Sequence, residues 1–198
     1  MREDLPWTSN RLVVADVEGN GCRPPSLVEV ALVPIVAGVI GEPASWLVRP
    51  SEAIAWHATR VHGITNQQVA ELPGIDAVAA DIRACLDSAV VVAHNAGIDL
   101  DVLTRELPGW RPVAVVDTLK LARTRLPGRP SYRLGALVDS LDLGRDLPTG
   151  LRPHRAGYDA LVTARLFVHL ATDPDGGPLL LSDLTGHPAS APQPDQLF

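Results

Sequence analysis

Three short apolar runs, each broken off by a polar residue, constrain this chain more than any other feature. Leu12-Val13-Val14-Ala15 stops at Asp16, Ala89-Val90-Val91-Val92-Ala93 stops at His94-Asn95, and Val113-Ala114-Val115-Val116 stops at Asp117-Thr118. Runs this short and continuous read as strands buried inside a sheet. Two further strands are expected over residues 27–39 and 44–48, where Val, Ile and Leu cluster; with residues 11–15 they form an antiparallel meander. Helices are expected over residues 58–61, 66–71, 75–86, 119–124, 134–141 and 159–170, and from Asp99 through Leu107. In the third of these, Ile75, Val78, Ala79, Ile82 and Leu86 fall at helical spacing. Thr65 is a candidate N-cap for the second. Strands first, then strand–helix alternation, predict an α/β fold with a mixed five-stranded sheet flanked by helices.

At 198 residues the chain is long enough for one sizeable core, and 46% hydrophobic content supports folding without a partner. We expect one domain over residues 8–171. From residue 172 to 198 the composition shifts to Pro and Gly, which reads as an extended, flexible tail, with at most a short strand or helix at 179–181. No apolar run is long enough to span a bilayer, and the N-terminus lacks a signal-peptide core, so a soluble cytoplasmic protein is expected, with no membrane partner. Cys22 and Cys85 have neither zinc spacing nor a disulfide framework. The net charge of −6 excludes a protein that coats long nucleic acid through overall charge. It leaves room for an enzyme that grips a few nucleotides, because bound metal ions supply local positive charge. The stretch from Arg105 to Arg165 is richer in Arg than the rest, a basic rim or simply a solvated face.

Acids mark the ends of the strands. Asp16 and Glu18 are two apart on an extended run, so their side chains point to the same side. Two hard oxygen donors suit Mg²⁺ or Mn²⁺ better than zinc. Gly19 and Gly21 leave the following backbone open to close approach. Asp99 falls in the first turn of a helix, where an acid is also favoured by the helix dipole alone; Asp101 competes for any ligand role. His154 and Asp159 are five apart, with Asp159 opening an apolar helix. Each signal is weak by itself. Together the four carboxylates, from three separated segments, suggest one site that holds divalent metal.

The order of these segments resembles a known family. Strand–Asp-x-Glu, then His94-Asn95-Ala96-Gly97-Ile98-Asp99, then His154-Arg155-Ala156-Gly157-Tyr158-Asp159 is similar to the DEDDh 3′–5′ exonucleases, which include the proofreading epsilon subunit of bacterial DNA polymerase III. The segment Ala58-Thr59-Arg60-Val61-His62-Gly63-Ile64-Thr65 looks like that family's His-Gly-Ile-Thr segment. Val116-Asp117-Thr118 and Tyr132-Arg133-Leu134-Gly135-Ala136-Leu137 resemble its later strand end and helix start. The resemblance covers about residues 12–170. Arg155 stands where the tyrosine branch of the family has Tyr, and His154 places the chain in the histidine branch.

The resemblance implies a ribonuclease H-like fold and release of nucleoside monophosphates from the 3′ end of single-stranded or frayed DNA, in proofreading or repair. Carried over by position, Asp16, Glu18, Asp99 and Asp159 hold two Mg²⁺ or Mn²⁺ ions, and His154 takes a proton from the attacking water. His62, Gly63 and Ile64 lie beside the terminal nucleotides, with Ile64 wedged against a base; Asn95 helps hold the strand end. Gly19 stands where many members have Thr, leaving only a backbone N–H for the terminal sugar, and Ile98 stands where Phe is usual. Trp56 and Trp110 are candidates for base stacking but read more readily as structural residues. The last residues, with Gln193, Gln196, Leu197 and Phe198, resemble peptides that dock on the bacterial sliding clamp, although the Gln spacing is imperfect. A DNA polymerase is a further expected partner. Two alternatives stay open: an exoribonuclease acting on short RNA, and a non-catalytic nuclease-like module that binds a polymerase or clamp.

Overall fold

The computed structural model of the chain describes residues 5–173 and 175–185. Its central sheet consists of β1 (Leu12–Gly19), β2 (Leu27–Val36), β3 (Val39–Ile40), β4 (Ala44–Leu47), β5 (Val90–Ala93) and β6 (Ala114–Asp117). The strand order is β3-β2-β1-β5-β6, and β4 also pairs with β2. β2 runs antiparallel to β1, β3 and β4, whereas β5 runs parallel to both β1 and β6. The mixed sheet thus has six strands rather than the expected five. Ala37 and Gly38 both take positive φ, 50° and 81°, as in the two-residue turns whose twist suits a hairpin. The run expected as one strand over residues 27–39 therefore folds back on itself, and Val39 pairs with Val36.

The helices are α1 (Trp56–His62), α2 (Asn66–Val69), α3 (Ala79–Leu86), α4 (Gly97–Glu106), α5 (Thr118–Arg125), α6 (Leu134–Ser140) and α7 (Ala156–Ala171). A 3-10 turn at Ile75–Ala77 precedes α3, so the helix expected over residues 75–86 is divided. Thr65 caps α2 as expected. Its hydroxyl accepts from the Gln68 N–H, while the Gln68 side chain accepts from the Thr65 N–H at 2.8 Å, closing a capping box.

Alternation along the strands divides the core. Leu12, Val14, Ala31, Val33, Val90, Val92 and Val116 pack on one side of the sheet with Ala160, Ala164 and Phe167 of α7. Val13, Ala15, Val30, Leu32 and Val91 pack on the other side with Ile82, Leu86, Val102 and Leu103 of α3 and α4. α7 is apolar along most of its length and lies across β1 and β2.

Of the segment expected as an extended tail, the described residues 172–173 and 175–185 are folded. They form a small hairpin, β7 (Thr172–Asp173) with β8 (Gly177–Pro178), and then α8 (Leu181–Thr185), which lies against β6. Among the segment's Pro and Gly residues, Leu184 joins the main core, and Leu179 and Leu181 pack against it. The start of the chain closes over the same end. Trp7 is 2% exposed, packs edge-on against Phe167 at 5.0 Å, and donates its indole N–H to the Ala171 carbonyl at 2.8 Å. No described helix is long and apolar enough to cross a membrane.

Candidate metal centre

Strand geometry brings the first two acids together. Leu12 and Val14 face α7, so period two carries Asp16 and Glu18 onto that same side at the end of β1. α7 supplies Asp159 from its first turn. Asp16, Glu18 and Asp159 each offer an oxygen, and these oxygens all lie within 4.8 Å of one another. Asp99, in the first turn of α4, is 6% exposed and accepts a hydrogen bond from the Val17 N–H at 3.1 Å. It borders this three-acid group, and its charge acts on Asp16. Asp101 takes no part: it forms an exposed ion pair with Arg105 at 2.9 Å.

The cluster is strained electrostatically. Burial, reinforced by Asp99, Asp159, Glu18 and Glu29, holds the Asp16 carboxyl well above the usual carboxylate range. Burial, with Asp159, Glu29 and Asp99, pushes Glu18 up to about 8, against the opposing pull of Arg155. Burial raises Asp99 to about 7 despite the Val17 N–H, and raises Asp159 to about 6 despite the charge and backbone of His154. Buried carboxylates without countercharge favour their protonated forms. Hard carboxylate oxygens this close, with such raised affinity for a positive charge, fit a divalent cation.

Sequence reasoning missed the residue that anchors α7. Glu29 lies opposite Glu18 in the β1–β2 ladder and is 5% exposed. Its carboxylate accepts from Arg155 Nε at 2.8 Å, from Arg155 Nη2 at 2.5 Å, and from the Ala156 N–H at 3.1 Å. The bidentate Arg155 guanidinium and the Ala156 N–H at the start of α7 thus share one buried acid. α7 accordingly begins at Ala156, three residues before the expected start, because its first turn is capped from another strand. The available signal was a lone charge inside the apolar run of β2. His154 stands just before this anchored pair, exposed on a turn with φ 61°.

The expected substrate-side residues occupy different settings. Gly19 ends β1. Asn95 is exposed with φ 65°, and its N–H donates to Asp117 Oδ1 at 3.1 Å, which ties the β5 end to the β6 end. His62 is buried; its Nδ1 accepts from the Ile64 N–H at 3.0 Å, and burial lowers its pKa while the Gly19 backbone opposes that shift. Gly63 caps α1 with φ 73°, a left-handed conformation that calls for glycine. Ile64 differs from expectation. Its side chain is 2% exposed and packs inward with Val28, Ile54, Ala58 and Val69, because the segment's apolar residue finds a core pocket beneath it. The exposed apolar side chains beside these segments are Val61 and Ile98. Trp110 is buried, and Trp56 is 69% exposed. Gln193, Gln196, Leu197 and Phe198 lie outside the described residues.

A six-stranded mixed sheet with its acids gathered where β1 meets α7 is the arrangement of a nuclease of the ribonuclease H-like fold. The chain belongs to the exonuclease family of RNase T, whose model matches residues 13–167, and it is a hydrolytic nuclease. It is 37% identical over 179 residues to Exodeoxyribonuclease 10 of Escherichia coli, a match that covers 90% of this chain and 76% of the relative. It is 35% identical over 167 residues to the 3′-5′ exonuclease DinG of Bacillus subtilis, covering 81% of this chain but 17% of that much longer protein. A solved structure of Exonuclease X in complex with 5′ overhanging duplex DNA superposes with a TM-score of 0.74 at 35% identity, covering 88% of this chain and 99% of that one.

Proposed function

We propose that the chain is a two-metal-dependent 3′–5′ exonuclease that releases nucleoside monophosphates from the 3′ end of single-stranded or frayed DNA, in proofreading or repair. The observation that carries this reading is the convergence of Asp16, Glu18 and Asp159 within 4.8 Å, with raised pKa values that call for a cation. The names of the relatives support DNA as the polymer and 3′–5′ as the polarity.

Asp16, Glu18 and Asp159 would hold one divalent ion, and Asp99, whose charge acts on Asp16, would help to hold a second. Bound there, two cations would offset the negative charge that develops on the phosphate and on the attacking and leaving oxygens. The residues of the chain supply the rest. A ring nitrogen of His154 accepts the proton of the attacking water; imidazole is suited to that exchange near neutral pH. Its exposed turn gives it access to solvent, while the Glu29–Arg155 pair fixes where that turn meets α7. The phosphorus–oxygen bond to the 3′ oxygen breaks as the water oxygen bonds to phosphorus. The Val17 N–H holds Asp99 in a fixed orientation toward β1.

The test uses DNA oligomers labelled at either end. The wild-type chain with Mg²⁺ or Mn²⁺ is expected to release a labelled mononucleotide first from the 3′-labelled strand. Asp16→Asn and Asp159→Ala should lose that release while retaining cooperative melting. His154→Ala should slow turnover and leave metal binding in place. Full activity in excess EDTA, or label released first from the 5′ end, would refute the proposal.

A further inference from the structure

One large aromatic side chain is accounted for neither by the core nor by the acid cluster. Trp56 opens α1 and is 69% exposed, whereas every other described Trp, Tyr and Phe is buried or half-buried. An indole left in water forgoes burial that a residue of this size normally gains. Its surroundings are arranged. The Arg60 guanidinium, one turn along the helix, lies 5.4 Å from the ring centroid, and the His57 ring meets it edge-on at 6.2 Å.

Both ends of α1 are attached to segments that lead into the acids. At its start, the Ala55 N–H donates to the Asn20 carbonyl at 2.8 Å, and His57 Nε2 lies 3.2 Å from the Gly21 carbonyl. Asn20 and Gly21 directly follow the Glu18 end of β1. A Cβ on Gly21 would sit 2.7 Å from His57 Nε2, so the contact is close. At its other end, Arg152 Nη2 donates to the His62 carbonyl at 3.3 Å, two residues before His154. α1 therefore forms a rim between the loop after Glu18 and the turn that carries His154.

Resting on the reading of the site as one that takes a nucleic-acid 3′ end, we propose that Trp56 and Arg60 form a stacking platform for an unpaired base of the strand held there. The indole face takes the base, and the guanidinium takes an adjacent phosphate. Aromatic stacking tolerates any sequence, because every base has a π face. A local cation on the rim also answers the chain's net charge of −6, which would otherwise repel the strand.

The full chain tests this with 3′-labelled single-stranded oligomers, either intact or carrying one abasic nucleotide at successive positions from the 3′ end. Trp56→Ala should raise KM about tenfold, within the range a stacked base loses on alanine substitution, and Trp56→Phe should recover most of the loss. The wild-type chain should be penalised by an abasic nucleotide at one position, and Trp56→Ala should not. Arg60→Ala should raise KM most at low salt. An unchanged KM and an unchanged abasic penalty in Trp56→Ala would overturn the proposal, as would loss of self-association in that variant with nuclease kinetics intact. Oligomer affinity measured in EDTA separates this proposal from the one beneath it. An inactive wild-type chain whose affinity still falls with Trp56→Ala would refute the nuclease reading alone. An active chain whose affinity ignores Trp56 would refute the platform alone.

Discussion

Asp16 concentrates the cost of the site. Its carboxyl is buried among three other acids and Glu29, and its proton affinity is raised by all of them. The sign of the consequence follows from linkage. A carboxyl whose folded pKa exceeds its unfolded value binds protons more tightly when folded. Its contribution to stability is present below the ordinary value of about 4 and is lost as pH rises through the folded values, which reach about 8 at Glu18. The metal-free chain should therefore melt lower at about pH 8 than at about pH 5. Asp16→Asn should flatten that slope and raise the Tm at the higher pH by several degrees, at roughly 2–4 °C per kcal/mol for a chain of this size. Adding Mg²⁺ or Mn²⁺ should raise the Tm of the wild-type chain more than that of Asp16→Asn. Parallel melting curves for the two proteins across this pH range would count against it. Asp16, Glu18, Asp99 and Asp159 could be singled out in the sequence because strand ends and helix starts expose such residues to a common edge. Ile64 could not be placed, since an apolar side chain beside a glycine serves equally as an outward wedge or an inward anchor.

At the scale of elements, the join between β2 and α7 carries the most weight. Glu29 spends a buried charge on Arg155 and on the first N–H of α7, and so determines where Asp159 and His154 begin. Truncating one partner of such a pair leaves the other uncompensated. Glu29→Ala is expected to lose on the order of 3 kcal/mol of stability and, by displacing the first turn of α7, on the order of 100-fold in kcat. Replacing both partners, Glu29→Met with Arg155→Met, should recover stability in chemical denaturation but not turnover, because an apolar pair cannot cap the helix. Restored turnover in the double variant would remove the positioning role. This join was illegible for a physical reason: the partners are more than a hundred residues apart, and no local propensity encodes a cap donated by another strand. Local chemistry was legible where it was sufficient, as in the Thr65–Gln68 capping box. It misled where a tight turn needed positive φ at Ala37 as well as Gly38, since alanine gives no warning of one.

Over the whole molecule, the two ends of the described chain close the same edge. Trp7 reaches Ala171, the Trp7 N–H donates to Leu179, and Leu184 is 5% exposed beside β6. Ending the chain after Ala171 should lower stability by roughly 2 kcal/mol for the burial of Leu184 alone, read as a lower denaturant midpoint. An unchanged midpoint would mean that this segment adds no stability. The antiparallel pairing of the first strands and the placing of Asp16 at a strand end followed from apolar runs and their polar stops. Beyond a short element at 179–181, the fold of residues 172–173 and 175–185 did not, because four leucines, Leu179, Leu180, Leu181 and Leu184, among prolines and glycines form no periodic pattern. The acid cluster joins the first strand to the last long helix, and that gives the chain a built-in timing. While it is being synthesised, Asp16 and Glu18 emerge early, but no growing chain can complete the set before Asp159 has left the ribosome and α7 has packed across β1. A fragment that stops short of Asp159 therefore carries only part of the cluster.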